Sequence, residues 1–106
     1  MSLFASLAEP NRRDILHILI EGEATVSSLV DRMALSQPSV SKHLKVLRES
    51  NLVTQRVDGQ RRWYALNNQP LQELDQWLAP FRQQWSQRLD ALGTHLDRIN
   101  PEGDTK

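Results

Sequence analysis

Residues 35–48 read LSQPSVSKHLKVLR, and the placement of this stretch decides the fold. Val40, Leu44 and Leu47 recur at the i, i+4, i+7 spacing of one buried helical stripe. Ser39, Ser41, Lys42, Lys45 and Arg48 fall off that stripe, so the outer face starts with hydroxyls and continues with cations. Ser36 is placed to cap the helix, and Pro38 falls in the first turn, where a missing amide hydrogen does no harm. Asn51 suits the exit, because Asn tolerates positive φ better than other non-glycine residues.

Upstream, the short turn ALS joins this helix to another, with Thr25 as its N-cap and Val26, Leu29, Val30 and Met33 as its apolar positions. Before that, Pro10 suits the first turn of a helix carrying Ile15, Leu16, Ile18 and Leu19, which Gly22 is placed to end in a left-handed cap. Residues 2–8 suit a short helix with Leu3, Phe4 and Leu7 on one face.

Downstream the period changes. LVTQRV and RRWYAL are β-prone runs around Asp58-Gly59, a hairpin signal, and they carry Arg56 on one arm and Arg61 and Arg62 on the other. From Pro70 the helical period returns through Leu71, Leu74, Leu78, Phe81, Trp85, Leu89, Leu92, Leu96 and Ile99, a stripe of about 45 Å if continuous. Pro80 is expected to kink or divide it. A domain this small does not shield both ends of such a stripe, so pairing with a second copy is expected. That interface would use Leu3, Phe4, Leu7, Trp85, Leu89, Leu92, Leu96 and Ile99. Gly93 within the stripe is compatible with a close helix crossing or with local tolerance.

The 106 residues suit one domain over about 1–100: a helix-turn-helix at about 25–50, a wing at about 52–67, a C-terminal helix at about 70–99, and a frayed tail at 101–106. With no cysteine, thiolate metal sites, disulfides and thiol catalysis are excluded. No apolar run is long enough to span a bilayer and the start lacks a signal-peptide pattern, which makes a cytoplasmic protein the expectation. Net charge is zero but unevenly spread. Residues 36–62 hold six cations against two anions, about +4, and residues 63–106 hold four against six, −2. The local field of the middle segment suits a polyanion.

The fold class is therefore mainly α with a β-hairpin wing (α+β), a winged helix-turn-helix ordered as four helices, two strands and a helix. Gln37, Ser39, Ser41 and His43 are the candidates for base readout. Lys42, Lys45, Arg48 and the hairpin's Arg56, Arg61 and Arg62 are candidates for phosphate contact on double-stranded DNA. LAEPNRRDILHIL, LSQPSVSKHLKVLRESNLV and VDGQRRWYAL resemble the arsenic-repressor-like (ArsR) winged-helix regulators, closely over residues 3–66 and more loosely beyond. The resemblance implies a homodimeric repressor on a two-fold symmetric operator. It matches Ser36, Gln37, Ser39, Ser41, Lys42 and His43 to positions facing the major groove, and Asp58, Gly59, Arg61 and Arg62 to the wing. Asn51 stands where the family commonly has Gly, and a left-handed cap accepts both.

Known members of the family bind metal through cysteines on the third helix, where this chain reads SSLVDRMA. Others use Asp, His and Glu on the last helix, but here Asp90 and His95 are five apart and do not share a face. No metal and no cofactor are expected. His17 is expected at the core edge. Trp63, Trp77 and Trp85 fit core or interface positions better than a ligand pocket. Ser41 and His43 point in different directions on a helix, and no phosphate loop or paired carboxylate motif occurs, so catalysis is not expected. The rival reading is a protein-interaction module that uses Trp63, Tyr64 and the long helix. A mixed reading adds an effector ligand or partner protein to DNA binding.

Overall fold

The structure is a computed structural model that describes residues 2–99, with side chains to Asp90 together with Leu92. The elements are α1 (Leu3–Leu7), α2 (Pro10–Leu19), β1 (Ala24–Thr25), α3 (Val26–Met33), α4 (Gln37–Glu49), β2 (Val53–Asp58), β3 (Arg61–Leu66) and α5 (Asn68–Ile99). Two compact units result, the first ending at Gln72 and the second beginning at Glu73.

Caps set the helix starts, as the sequence predicts. Ser36 Oγ accepts the amide of Ser39 at 3.2 Å, and Thr25 Oγ1 that of Ser28 at 3.2 Å. Pro10 and Pro38 both sit in first turns. The turn between α3 and α4 pivots on Ala34, whose φ of 56° is left-handed. Nothing in an alanine announces that conformation. Asn51 takes the same region at φ 61° beyond α4. Gly22 has φ 143°, open only to glycine, and follows α2 without forming the expected left-handed cap.

The hairpin pairs Val53 with Leu66 through Asp58 with Arg61, leaving Gly59 and Gln60 as its loop. Gly59 has φ 65° and Gln60 does not share that sign, the pattern of a type II′ turn. The sheet departs from expectation by one strand. β1 pairs antiparallel with β3, Ala24 opposite Tyr64 and Thr25 opposite Trp63, giving the order β1-β3-β2. Two residues are too few to show a period in sequence, and Thr25 both ends the strand and caps α3.

The core of the first unit is Ile15, Leu16 and Leu19 of α2, Leu29 of α3, and Val40, Leu44 and Leu47 of α4, closed by Leu52, Val53 and Tyr64. The apolar stripe of α4 is thus wholly buried. Ser6 is the one fully buried polar side chain among the described residues, and its Oγ bonds Ser50 Oγ, tying α1 to the end of α4.

The helix α5 starts two residues before Pro70. Asn67 Oδ1 accepts the Gln69 amide at 3.3 Å, while Asn67 Nδ2 donates to the Asn51 carbonyl at 2.8 Å. It also runs through Pro80 without division. Aromatic contacts span the proline turn, with ring centroids of Trp77 and Phe81 4.9 Å apart and of Phe81 and Trp85 6.4 Å apart.

Candidate nucleic-acid interface

Along α4, the residues flanking the buried stripe on one side are Gln37, Ser41, Lys45 and Arg48, spaced by four, four and three. The wing turn brings Gln60, Arg61 and Arg62 opposite them. Thr25 at the end of β1, Val26 and Ser27 at the start of α3, and Tyr64 of β3 complete the lining of a groove of about 780 Å³. Lys45, Arg48, Arg61 and Arg62 give it four cations, and no Asp or Glu lines it. None of the four forms a salt bridge among the described residues. Holding unpaired cations together costs repulsion, which a polyanion relieves.

The remaining predicted residues lie elsewhere. The Ser36 side chain is committed to its cap. Ser39 and Lys42 stand outside the groove lining, Ser39 half-buried and Lys42 exposed. His43 is half-buried on the other flank, with Nδ1 3.4 Å from Arg12 Nη1. Arg12 in turn donates to the carbonyls of Ser6 at 2.7 Å and Ala5 at 3.2 Å, linking α1 to α4. Sequence spacing does not reveal Arg12, because its partners lie on two other elements.

Arg56 is not a free cation. It forms a two-pronged bond to Glu23, approaches Asp58 at 3.9 Å, and lies over the Trp63 ring at 5.5 Å from the centroid. The hydrogen bond from Arg56 holds the Glu23 carboxyl below its usual pKa, and the Glu23 bond raises that of Arg56. Asp58 and Gly59 shape the hairpin turn. His17, expected at the core edge, is exposed and borders a second cavity.

Within the described part of α5, Trp77, Phe81, Trp85, Leu89 and Leu92 are all large, apolar and exposed. Their spacing of four, four, four and three makes one helical face. Phe4 is exposed, while Leu3 and Leu7 pack against the core. The side chains of Gly93, His95, Leu96 and Ile99, and the tail at 101–106, lie outside the described residues. Among the described residues no three His, Asp or Glu side chains converge on a metal-sized site, and no helix is long and apolar enough to cross a membrane.

A helix-turn-helix whose second helix and adjoining hairpin share a cationic groove defines a winged-helix DNA-binding regulator. Residues 9–55 match the family described as "Bacterial regulatory protein, arsR family". The chain is 31% identical over 80 residues to the transcriptional repressor SdpR of Bacillus subtilis (strain 168), covering 76% of this chain and 89% of SdpR. It is 39% identical over 70 residues to the arsenical resistance operon repressor of Staphylococcus aureus, covering 66% and 67%. Among solved structures, an ArsR family transcriptional regulator aligns with TM-score 0.69 at 34% identity, over 78% of this chain and 91% of that one. The chain belongs to the ArsR family of helix-turn-helix transcription regulators, which are not enzymes.

Proposed function

We propose that two copies of this chain pair through the apolar face of α5, with help from α1, and repress transcription from a two-fold symmetric operator. The observation that carries this is the groove with Gln37 and Ser41 at one end and four unpaired cations along it. In this reading α4 enters the major groove by that flank, and Gln37 and Ser41 hydrogen-bond base edges. Lys45, Arg48, Arg61 and Arg62 contact phosphates on either side. His43 is held by Arg12 at the edge of the helix, and Lys42 and Ser39 meet the adjacent backbone. Arg56 acts within the wing by bracing it against Glu23. Two copies related by a dyad would place their α4 helices about 34 Å apart, one DNA turn, so the operator is a palindrome.

The exposed stripe from Trp77 to Leu92 supports the pairing, since five large apolar side chains on one face form a patch that monomers rarely leave bare. The test is fluorescence anisotropy with the DNA upstream of the chain's own gene and a scrambled duplex, with chelator present. Tight binding confined to the first is the expected result. Failure to bind either duplex at low salt would move the reading to a protein-interaction module.

A further inference from the structure

A second cavity, of about 330 Å³, opens where four elements of the first unit meet. Its walls are aliphatic: Leu7 from α1, Leu16 and Ile20 from the α2 segment, Leu66 at the end of β3, and Leu71 near the start of α5. The polar side chains at it are Arg13, His17 and Asn68, and no carboxylate lines it. Arg13 and His17 are one helical turn apart and both exposed, so they stand on one side of the opening. Arg13 Nη1 donates to the carbonyls of Leu7 at 2.8 Å and Ala8 at 3.0 Å, which anchors the guanidinium at the end of α1. No carboxylate pairs with it among the described residues. An anchored, acid-free guanidinium beside an aliphatic cavity is complementary to an anion with an apolar body.

The geometry points to a binding site for a small amphipathic monocarboxylate, its tail among the leucines and its carboxylate on Arg13 beside His17 and Asn68. One permanent cation matches one negative charge, and a phosphate dianion would remain half compensated against apolar walls. The main seat proposed for a second copy, the α5 stripe from Trp77 to Leu92, shares no residue with this recess of small-molecule size, and Leu7 alone belongs both to its wall and to the expected pairing set. The site touches Leu66, the last residue of the strand that begins with Arg61 and Arg62, and Asn68 and Leu71, which open α5. Resting on the DNA-binding reading above, the bound acid acts as an effector: it changes operator affinity to the extent that it favours one arrangement of those elements.

The probes are octanoate and 1-octanol, which share a chain length and differ in charge. They are titrated into the full-length protein while leucine and isoleucine methyl signals are followed by NMR. Octanoate is expected to shift methyls of Leu7, Leu16, Ile20 and Leu71 saturably, with octanol at least about ten-fold weaker. Arg13→Gln removes that preference by about the same factor. Ile20→Trp, at a 68% exposed position, fills the mouth and abolishes binding with the melting temperature retained. Saturating octanoate then changes operator affinity by about five-fold or more.

Equal binding of acid and alcohol, no methyl shift, or shifts seen only when the dimer dissociates would each overturn the site. Binding with operator affinity unchanged would overturn the effector role. Because the NMR titration contains no DNA, loss of operator binding in the absence of octanoate tells against the DNA reading and not against this site.

Discussion

Gln37 and Arg62 line the same groove, yet substitution of each should leave a different signature. Gln37 sits at the first turn of α4, where an amide reads base edges, so Gln37→Ala should cost about 1–3 kcal/mol of discrimination between the operator and single-base variants. Competition anisotropy measures that difference. Arg62→Ala should weaken binding to all duplexes about equally, and a loss confined to one operator would count against a phosphate role. Glu23 and Arg56 give a pH-dependent residue pair. Because the Glu23 pKa is depressed, the pair's contribution is present above the carboxyl's ordinary pKa and is lost as pH falls through the depressed value. The pair is exposed, so little stability rides on it. The Glu23 carboxyl titration followed by NMR should move up toward the usual range in Arg56→Gln, and an unmoved midpoint would remove Arg56 as the cause.

Among the elements, legibility in the sequence followed the strength of the local signal. The stripe of Val40, Leu44 and Leu47, the caps at Thr25 and Ser36 and the Asp58-Gly59 hairpin were all readable, because each depends on neighbours close in sequence. β1 was not, since two residues acquire strand character only by pairing with Tyr64 and Trp63 some forty positions away. The continuity of α5 through Pro80 also ran against local preference. In the groove, the α4 cations could be named from sequence. The division of the named set into Gln37, Ser41, Lys45 and Arg48 on the groove side and His43 on the Arg12 side required the packed structure. The pairing of Arg56 with Glu23 likewise joins residues from different elements. Ala34 offers a stability test for the helix-turn-helix. Ala34→Gly relieves a left-handed alanine and should raise unfolding stability by up to about 1 kcal/mol, read as a higher denaturant midpoint at unchanged slope. A lower midpoint would mean that the turn is not strained at this residue.

For the whole molecule, two proposals meet: pairing through α5 and docking through the groove. Leu92 lies at the exposed end of the described apolar stripe, and Leu92→Arg should put a charge into the proposed pairing face. Light scattering should then report monomers, with the fold of the first unit retained by circular dichroism, and a surviving dimer would place the interface elsewhere. Monomers should also bind the operator more weakly, since each half-site would be held alone. The most direct test of the groove as the DNA interface is the salt dependence of operator binding by wild type and by the Arg61→Ala, Arg62→Ala double variant. Plotted as log affinity against log salt, the variant's slope should be shallower by about 0.9 for each DNA phosphate that the two arginines no longer neutralise. A slope identical to wild type, with affinity unchanged, would contradict the assignment of these arginines and the groove they close.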